Sequence, residues 1–164
     1  MAILIDGHNL IGQLPTISLQ DPDDEEELVR LLVSYRARTG KAVTVVFDPG
    51  SFSSLSETRR QGGVQIVFAP GGSSADAVIT NRVKRSRDRA HWLVVTSDRR
   101  LSATVAGLGA RVQSARAFAR ELAPRQPDQE SADWRQVPPS AEEVDDWLDL
   151  FERREKEDGL AGTD

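Results

Sequence analysis

The chain has 164 residues, no Cys and two His, and its 26 acidic against 21 basic side chains give a net charge of −5. Without Cys there is neither a disulfide framework nor a thiolate metal site, and two His are too few for a zinc centre. No apolar run approaches the ~20 residues of a membrane span, and the start lacks the basic and long apolar regions of a secretory signal. A cytoplasmic protein with no membrane partner is expected.

Ala2 to Ile5 form a short apolar run with β-branched residues, the pattern of a buried strand in a parallel sheet. It stops in Asp6-Gly7-His8-Asn9, which reads either as an Asx-turn or as a strand-end site of the kind open α/β sheets use for ligand chemistry. A loop with Pro15 follows. The acidic run Asp21 to Glu27 then predicts a helix start, with Asp21 as N-cap, Pro22 in the first turn and acids matched to the helix dipole. Leu28, Leu31, Leu32 and Tyr35 continue at helical spacing, and Gly40 closes the helix.

Ala42 to Phe47 predict the second strand, ending in Asp48-Pro49-Gly50. Residues 51–63 are polar and read as a mobile loop or short helix. Val64 to Phe68 predict the third strand. Ser73 or Ser74 then caps a helix whose Asp76, Ile79, Thr80 and Val83 share one stripe. Lys84, Arg85, Arg87 and Arg89 crowd the end of that helix, where cations match the dipole.

Trp92 to Thr96 predict the fourth strand, followed by Ser97-Asp98-Arg99-Arg100 and a short helix through Leu101, Val105 and Leu108. Residues 110–112 read as a brief edge strand, and Ser114 caps a small helix bearing Phe118 and Leu122. This alternation predicts an α/β domain with a mainly parallel, doubly wound sheet of about five strands. The domain is expected over residues 1–123, followed by a Pro-rich linker at 124–139. A capping box at Ser140 and Glu143 opens an acidic amphipathic helix at 140–158, and a disordered tail fills 159–164.

Charge is distributed unevenly. Residues 125–164 carry 13 acidic and 5 basic side chains, net −8, whereas residues 1–124 carry 16 basic and 13 acidic, net +3. Ten of those basic residues fall between Arg82 and Arg120, among only two acids, Asp88 and Asp98. The average acidity hides a basic face, which suits a nucleic-acid partner.

In a 3-2-1-4-5 strand order, Asp6 and Asp98 meet at the switch point and Asp76 approaches from the neighbouring helix. Three unpaired carboxylates repel one another, and a hard divalent cation, Mg²⁺ or Mn²⁺, relieves that repulsion while keeping bound waters. One such water is a nucleophile for a phosphodiester, with Arg82, Lys84, Arg85, Arg99 and Arg100 on the RNA backbone and Asn9 orienting a water or a phosphate oxygen. Ser97 either caps the next helix or contacts a phosphate. Asp48 is a secondary candidate, since Asp-Pro-Gly also makes a plain turn. The structural alternative reads all of these acids as caps and turn formers.

The motifs IDGHN, VVFDPG, GGSSADAVI and VVTSDRRL, in this order across residues 1–122, resemble the YacP-like NYN-domain family of PIN-like nucleases. The resemblance implies a three-layer α/β/α PIN-like domain and metal-dependent endoribonuclease activity, in some members on mRNA in the context of the ribosome. It implies Asp6, Asp76 and Asp98 as metal-binding acids, with Asn9 in the first motif and Ser97 in the last. The chain departs from the pattern where Ala77 follows Asp76 and where Arg99 and Arg100 stand at positions often acidic. His8 likewise stands where tyrosine is common. Two other readings remain: a catalytically inactive RNA- or ribosome-binding module, and a small-molecule phosphatase. The oligomeric state is left open.

Overall fold

The computed structural model describes residues 1–49 and 57–123. The chain divides into two units, Met1–Pro124 and Arg125–Asp164. The second unit, with the predicted linker, acidic helix and tail, lies outside the described residues. A six-stranded sheet runs in the order β3-β4-β2-β1-β5-β6. Its strands are β1 (Ala2–Asp6), β2 (Ala42–Phe47), β3 (Glu57–Gln61), β4 (Val64–Phe68), β5 (Trp92–Val95) and β6 (Arg111–Gln113). All pairs are parallel except β3 with β4. The five predicted strands thus appear in the predicted order, with β1 at the centre.

Among the described residues the helices are α1 (Gly7–Ile11), α2 (Asp24–Thr39), α3 (Ala75–Arg85), α4 (Arg99–Gly107) and α5 (Ala115–Leu122), with a 3-10 turn at Arg89–His91. Strand alternation sorts the core into two layers. Ile3, Ile5, Val43, Val45, Phe47 and Ile66 pack with Leu28, Leu32 and Tyr35 of α2 and with Phe118 and Leu122 of α5. Leu4, Val46, Val67 and Val94 face the other way, against Ile79 and Val83 of α3 and Leu101 and Val105 of α4. The period of two along each strand and of 3.6 along each helix makes this a three-layer α/β/α domain.

Three local expectations are corrected. Residues 57–61, expected in a loop or short helix, form β3, an edge strand with no apolar residue and every residue exposed. What makes it a strand is the turn: Gly62 and Gly63 have φ of 54° and 81°, the geometry of a two-residue hairpin that sets β3 antiparallel on β4. A Cβ on Gly62 would lie 2.4 Å from Val33 Cγ1, so the turn also fits tightly onto α2. Second, α2 starts at Asp24 rather than after Asp21; the Asp21 side chain instead accepts from the Asp23 amide at 3.1 Å in a preceding turn. Third, the chain after Asp6 forms a short helix before the Pro15 loop, and buries Leu10 and Ile11. Gly40 closes α2 at φ 69°, and Ser74 and Ser114 cap α3 and α5 through the Ala77 and Ala117 amides, as expected from the sequence.

Candidate active site at the carboxyl rim of the sheet

Parallel strands leave their carboxyl ends on one edge, and here that edge is acidic. Asp6 ends β1, Asp48 follows β2, Asp98 follows β5, and Asp76 stands in the first turn of α3. The four are electrostatically linked. Burial, then the charges of Asp76 and Asp48, push the Asp6 carboxyl from the ordinary 3.8 up to about 6. Burial, then Asp98 and Asp48, likewise raise Asp76. The strand-end acids therefore share one rim, and no cation among the described side chains neutralises Asp6, which is 7% exposed.

Each acid is held differently. Asp6 is held by an amide of Asn9 and by Thr96, whose hydroxyl donates to Asp6 Oδ2 at 3.4 Å. The same hydroxyl accepts from the Asp98 amide at 3.1 Å, so Thr96 ties two of the acids together. Asp98 is the N-cap of α4, its Oδ1 accepting from the Arg100 and Leu101 amides at 2.8 and 3.0 Å. Asp48 Oδ1 accepts from the Ala75 amide at 2.9 Å, which locks the end of β2 to the start of α3 and thereby sets where Asp76 stands. The reading of these acids as caps and turn formers thus holds for one oxygen of Asp98, whereas the Asp48 oxygen bonds a distant amide rather than a turn of its own. It does not account for buried Asp6 or for Asp76.

His8 lies between two carboxylates, Nε2 at 3.1 Å from Glu25 Oε1 and Nδ1 at 3.4 Å from Asp48 Oδ2, with its ring edge-on to Phe47. The turn that carries it requires Gly7, because a Cβ there would lie 2.3 Å from the Phe47 ring. Asn9 accepts the Ser97 amide at 2.7 Å, and Ser97 Oγ accepts the Ala115 amide at 3.0 Å. These two residues stitch α1, the end of β5 and α5 together. The cap of the helix that follows, one of the two sequence readings of Ser97, is instead Asp98, and the Ser97 hydroxyl supports the start of α5.

The sequence did not disclose Thr96 or Glu25 as parts of this rim. Thr96 carried a usable signal, a polar residue at the buried end of an apolar run (it is 1% exposed). Glu25 carried none, since it stands in an acidic first turn that the dipole explains by itself.

The basic residues separate into two groups. Lys84 and Arg85 are exposed at the end of α3, where the dipole favours them, and Arg82 is half-buried there. Arg99 and Arg100 are exposed in the first turn of α4, against the dipole, directly beside the Asp98 cap. Helix stability does not explain that second placement.

The four aspartates of the rim offer only oxygen donors, the preference of a hard divalent cation. Among the described residues, no three His, Asp or Glu side chains are gathered closely enough to form a ready cage. One oxygen of Asp98 and one of Asp48 are already committed to backbone amides. Such an open arrangement fits an ion that is bound by few carboxylates and keeps its own waters.

No helix among the described residues is long and apolar enough to cross a membrane. A mutant of Rae1 (YacP) from Bacillus subtilis, known as a crystal structure, is similar to this chain with 28% identity and a TM-score of 0.61, covering 82% of this chain and 79% of its own. A second crystal structure of Rae1 (YacP) from the same organism shares the fold at 23% identity and a TM-score of 0.62, over 98% and 87% of the two chains. No curated protein is significantly similar in sequence. The α/β/α arrangement is that of PIN-like domains, and the YacP-like NYN domain profile matches residues 3–156, so the chain belongs to the YacP-like NYN domain family.

Proposed function

We propose that this protein is an endoribonuclease that hydrolyses RNA phosphodiesters with Mg²⁺ or Mn²⁺, on mRNA in a ribosome-associated setting. The observation that carries the reading is the shared rim, where buried Asp6 is raised to about 6 by burial and by its acidic neighbours. Asp6, Asp76 and Asp98 would hold the metal, with Asp48 as a further carboxylate at its edge. When bound, the ion supplies an activated water and offsets the charge that develops on the phosphate. Thr96 fixes the rotamer of Asp6 and the backbone of Asp98 through one hydroxyl, and so sets the spacing between two ligands. Asn9, anchored through Ser97, keeps its amide group near that water or a phosphate oxygen. Arg99 and Arg100, placed against their helix dipole, hold the RNA backbone beside the rim.

The test is cleavage of RNA, free and on translating ribosomes, with Mn²⁺ or Mg²⁺ present. Asp6→Asn and Asp98→Asn are expected to abolish cleavage while circular dichroism reports an intact fold. Asn caps a helix as well as Asp, so Asp98→Asn isolates the charge. Full activity in either variant would sink the mechanism.

A second reading is favoured by the open spacing of the acids and by Ala77 and Arg100, which stand where a further acid is often found. In it the chain binds RNA or the ribosome without cutting. Salt-dependent RNA binding with no cleavage on any of these substrates, with either metal, would establish that reading instead.

A further inference from the structure

His8 belongs to the rim, yet the proposed chemistry gives it no part. It stands in α1, and its ring is held on three sides. Nε2 lies 3.1 Å from Glu25 Oε1 in the first turn of α2, and Nδ1 lies 3.4 Å from Asp48 Oδ2 after β2. The third side is the Phe47 ring, met edge-on with centroids 5.3 Å apart. A carboxylate only accepts, so each polar contact draws on an N–H of the ring. The His8, Glu25 and Asp48 side chains are 31%, 32% and 51% exposed, and ion pairs this open contribute little to stability. Stability does not explain why one ring bridges two acids.

The placement of Asp48 supplies the explanation. Its Oδ1 accepts the Ala75 amide at 2.9 Å, and Asp76 is the next residue. With Oδ1 on Ala75 and Oδ2 against His8, the carboxylate is fixed at both oxygens. Contacts therefore run from Glu25 to His8 to Asp48 to Ala75, from the first turn of α2 to the first turn of α3. The charge of Asp48 reaches both Asp6 and Asp76, so the carboxylate that His8 holds belongs to the acidic cluster. A half-exposed carboxylate held at one oxygen still swings; held at both, it does not. Each oxygen keeps a second lone pair, so neither contact prevents Asp48 from facing a cation.

We propose that His8 is a positioning residue for the metal centre: by holding Asp48 Oδ2 it fixes that carboxylate at the edge of the centre and, through Ala75, the place of Asp76. The inference rests on the metal reading above. His8 touches neither the ion nor the RNA and acts through Asp48, while Glu25 holds the ring from its other nitrogen. Groups that orient a metal's ligands from outside contribute to its affinity.

Binding of Mn²⁺ to the full chain is measured without RNA, by electron paramagnetic resonance of the free ion, and the binding counted is the part that Asp6→Asn removes. His8→Phe keeps the packing on Phe47 and removes both N–H groups. His8→Asn sets an amide near the place of Nδ1 and keeps a donor for Asp48, whereas His8→Gln sets one near Nε2 and keeps a donor for Glu25. Affinity is expected to fall about 10-fold in His8→Phe and His8→Gln and to return to within about 3-fold of wild type in His8→Asn. In cleavage assays the half-saturating Mn²⁺ of His8→Phe should rise by the same factor, with the rate at saturating Mn²⁺ near that of wild type. In an Asp48→Ala background His8→Phe should cost nothing further, since its path to the metal is already cut. If His8→Phe fails to fold by circular dichroism, the comparison of Asn with Gln and its repeat in the Asp48→Ala background carry the test. Recovery in His8→Gln rather than His8→Asn would assign the ring to joining α1 with α2 and overturn the inference. An undiminished loss in the Asp48→Ala background, or wild-type Mn²⁺ affinity in every variant, would overturn it too while leaving the metal reading intact. Absence of Mn²⁺ binding by the wild type would overturn both.

Discussion

Replacing Asp6 by Asn should make the metal-free protein more stable at neutral pH while removing its activity. The carboxyl at the end of β1 is 7% exposed and is raised from 3.8 to about 6, first by burial and then by Asp76 and Asp48. Below pH 3.8 the group is protonated in both folded and unfolded chains and costs nothing. As pH rises through about 6 the folded chain must hold a charge that the unfolded chain holds more easily, and stability is lost across that window. The interval corresponds to about 3 kcal/mol at pH 7 and above. Asn keeps an oxygen for the Thr96 hydroxyl, so about 2–3 kcal/mol of gain is expected to survive, roughly 5–10 °C in the unfolding midpoint of a domain this size. The assay is urea and thermal unfolding of wild type and Asp6→Asn in EDTA from pH 3.5 to 8. The difference should be near zero at the acid end and grow through pH 4–6. Saturating Mn²⁺ should then raise the wild-type midpoint and leave the variant where it is. Equal stabilities at pH 7.5, or a difference that does not change with pH, would refute the argument from desolvation and like charge.

Thr96→Val removes the hydroxyl shared by Asp6 and the Asp98 amide; it should cost about 1–3 kcal/mol in urea unfolding and reduce cleavage with the carboxylates all still present. Gly7→Ala places a methyl against the Phe47 ring and should cost about 1–3 kcal/mol by thermal unfolding, with activity lost alongside because His8 and Asn9 share that turn. Phe118→Ala empties a fully buried site under α5 and should cost about 3–5 kcal/mol in the same measurement. Arg99→Gln with Arg100→Gln relieves two cations at the start of α4; the pair should leave stability unchanged or slightly raised while RNA affinity and its salt slope both fall.

The parts of this fold that were legible in the sequence are those written in apolar periodicity. β1, β2, β4 and β5 are short apolar runs, and the three Ser- and Gly-terminated helix ends follow from side-chain chemistry at single positions. Glu57–Gln61 was illegible as a strand because its partner and its glycine turn, not its own residues, make it one. The gathering of Asp6, Asp48, Asp76 and Asp98 at one rim could be reasoned from strand ends alone, because parallel topology leaves those ends no other edge. Apart from the Asp98 cap, their individual bonding could not. The double role of the Thr96 hydroxyl and the reach of Glu25 to His8 depend on side-chain directions that only packing decides.

The hairpin strand at the margin of the sheet has a further consequence, for what the protein avoids. A bare outer strand invites another chain to extend the sheet, and repeated extension builds fibres. Here that outermost strand reads Glu57-Thr58-Arg59-Arg60-Gln61, with the Arg59 guanidinium 5.8 Å above the Phe68 ring. A second molecule adding antiparallel about the strand's midpoint would set arginine against arginine, and the growth of such a polymer is disfavoured from its first step.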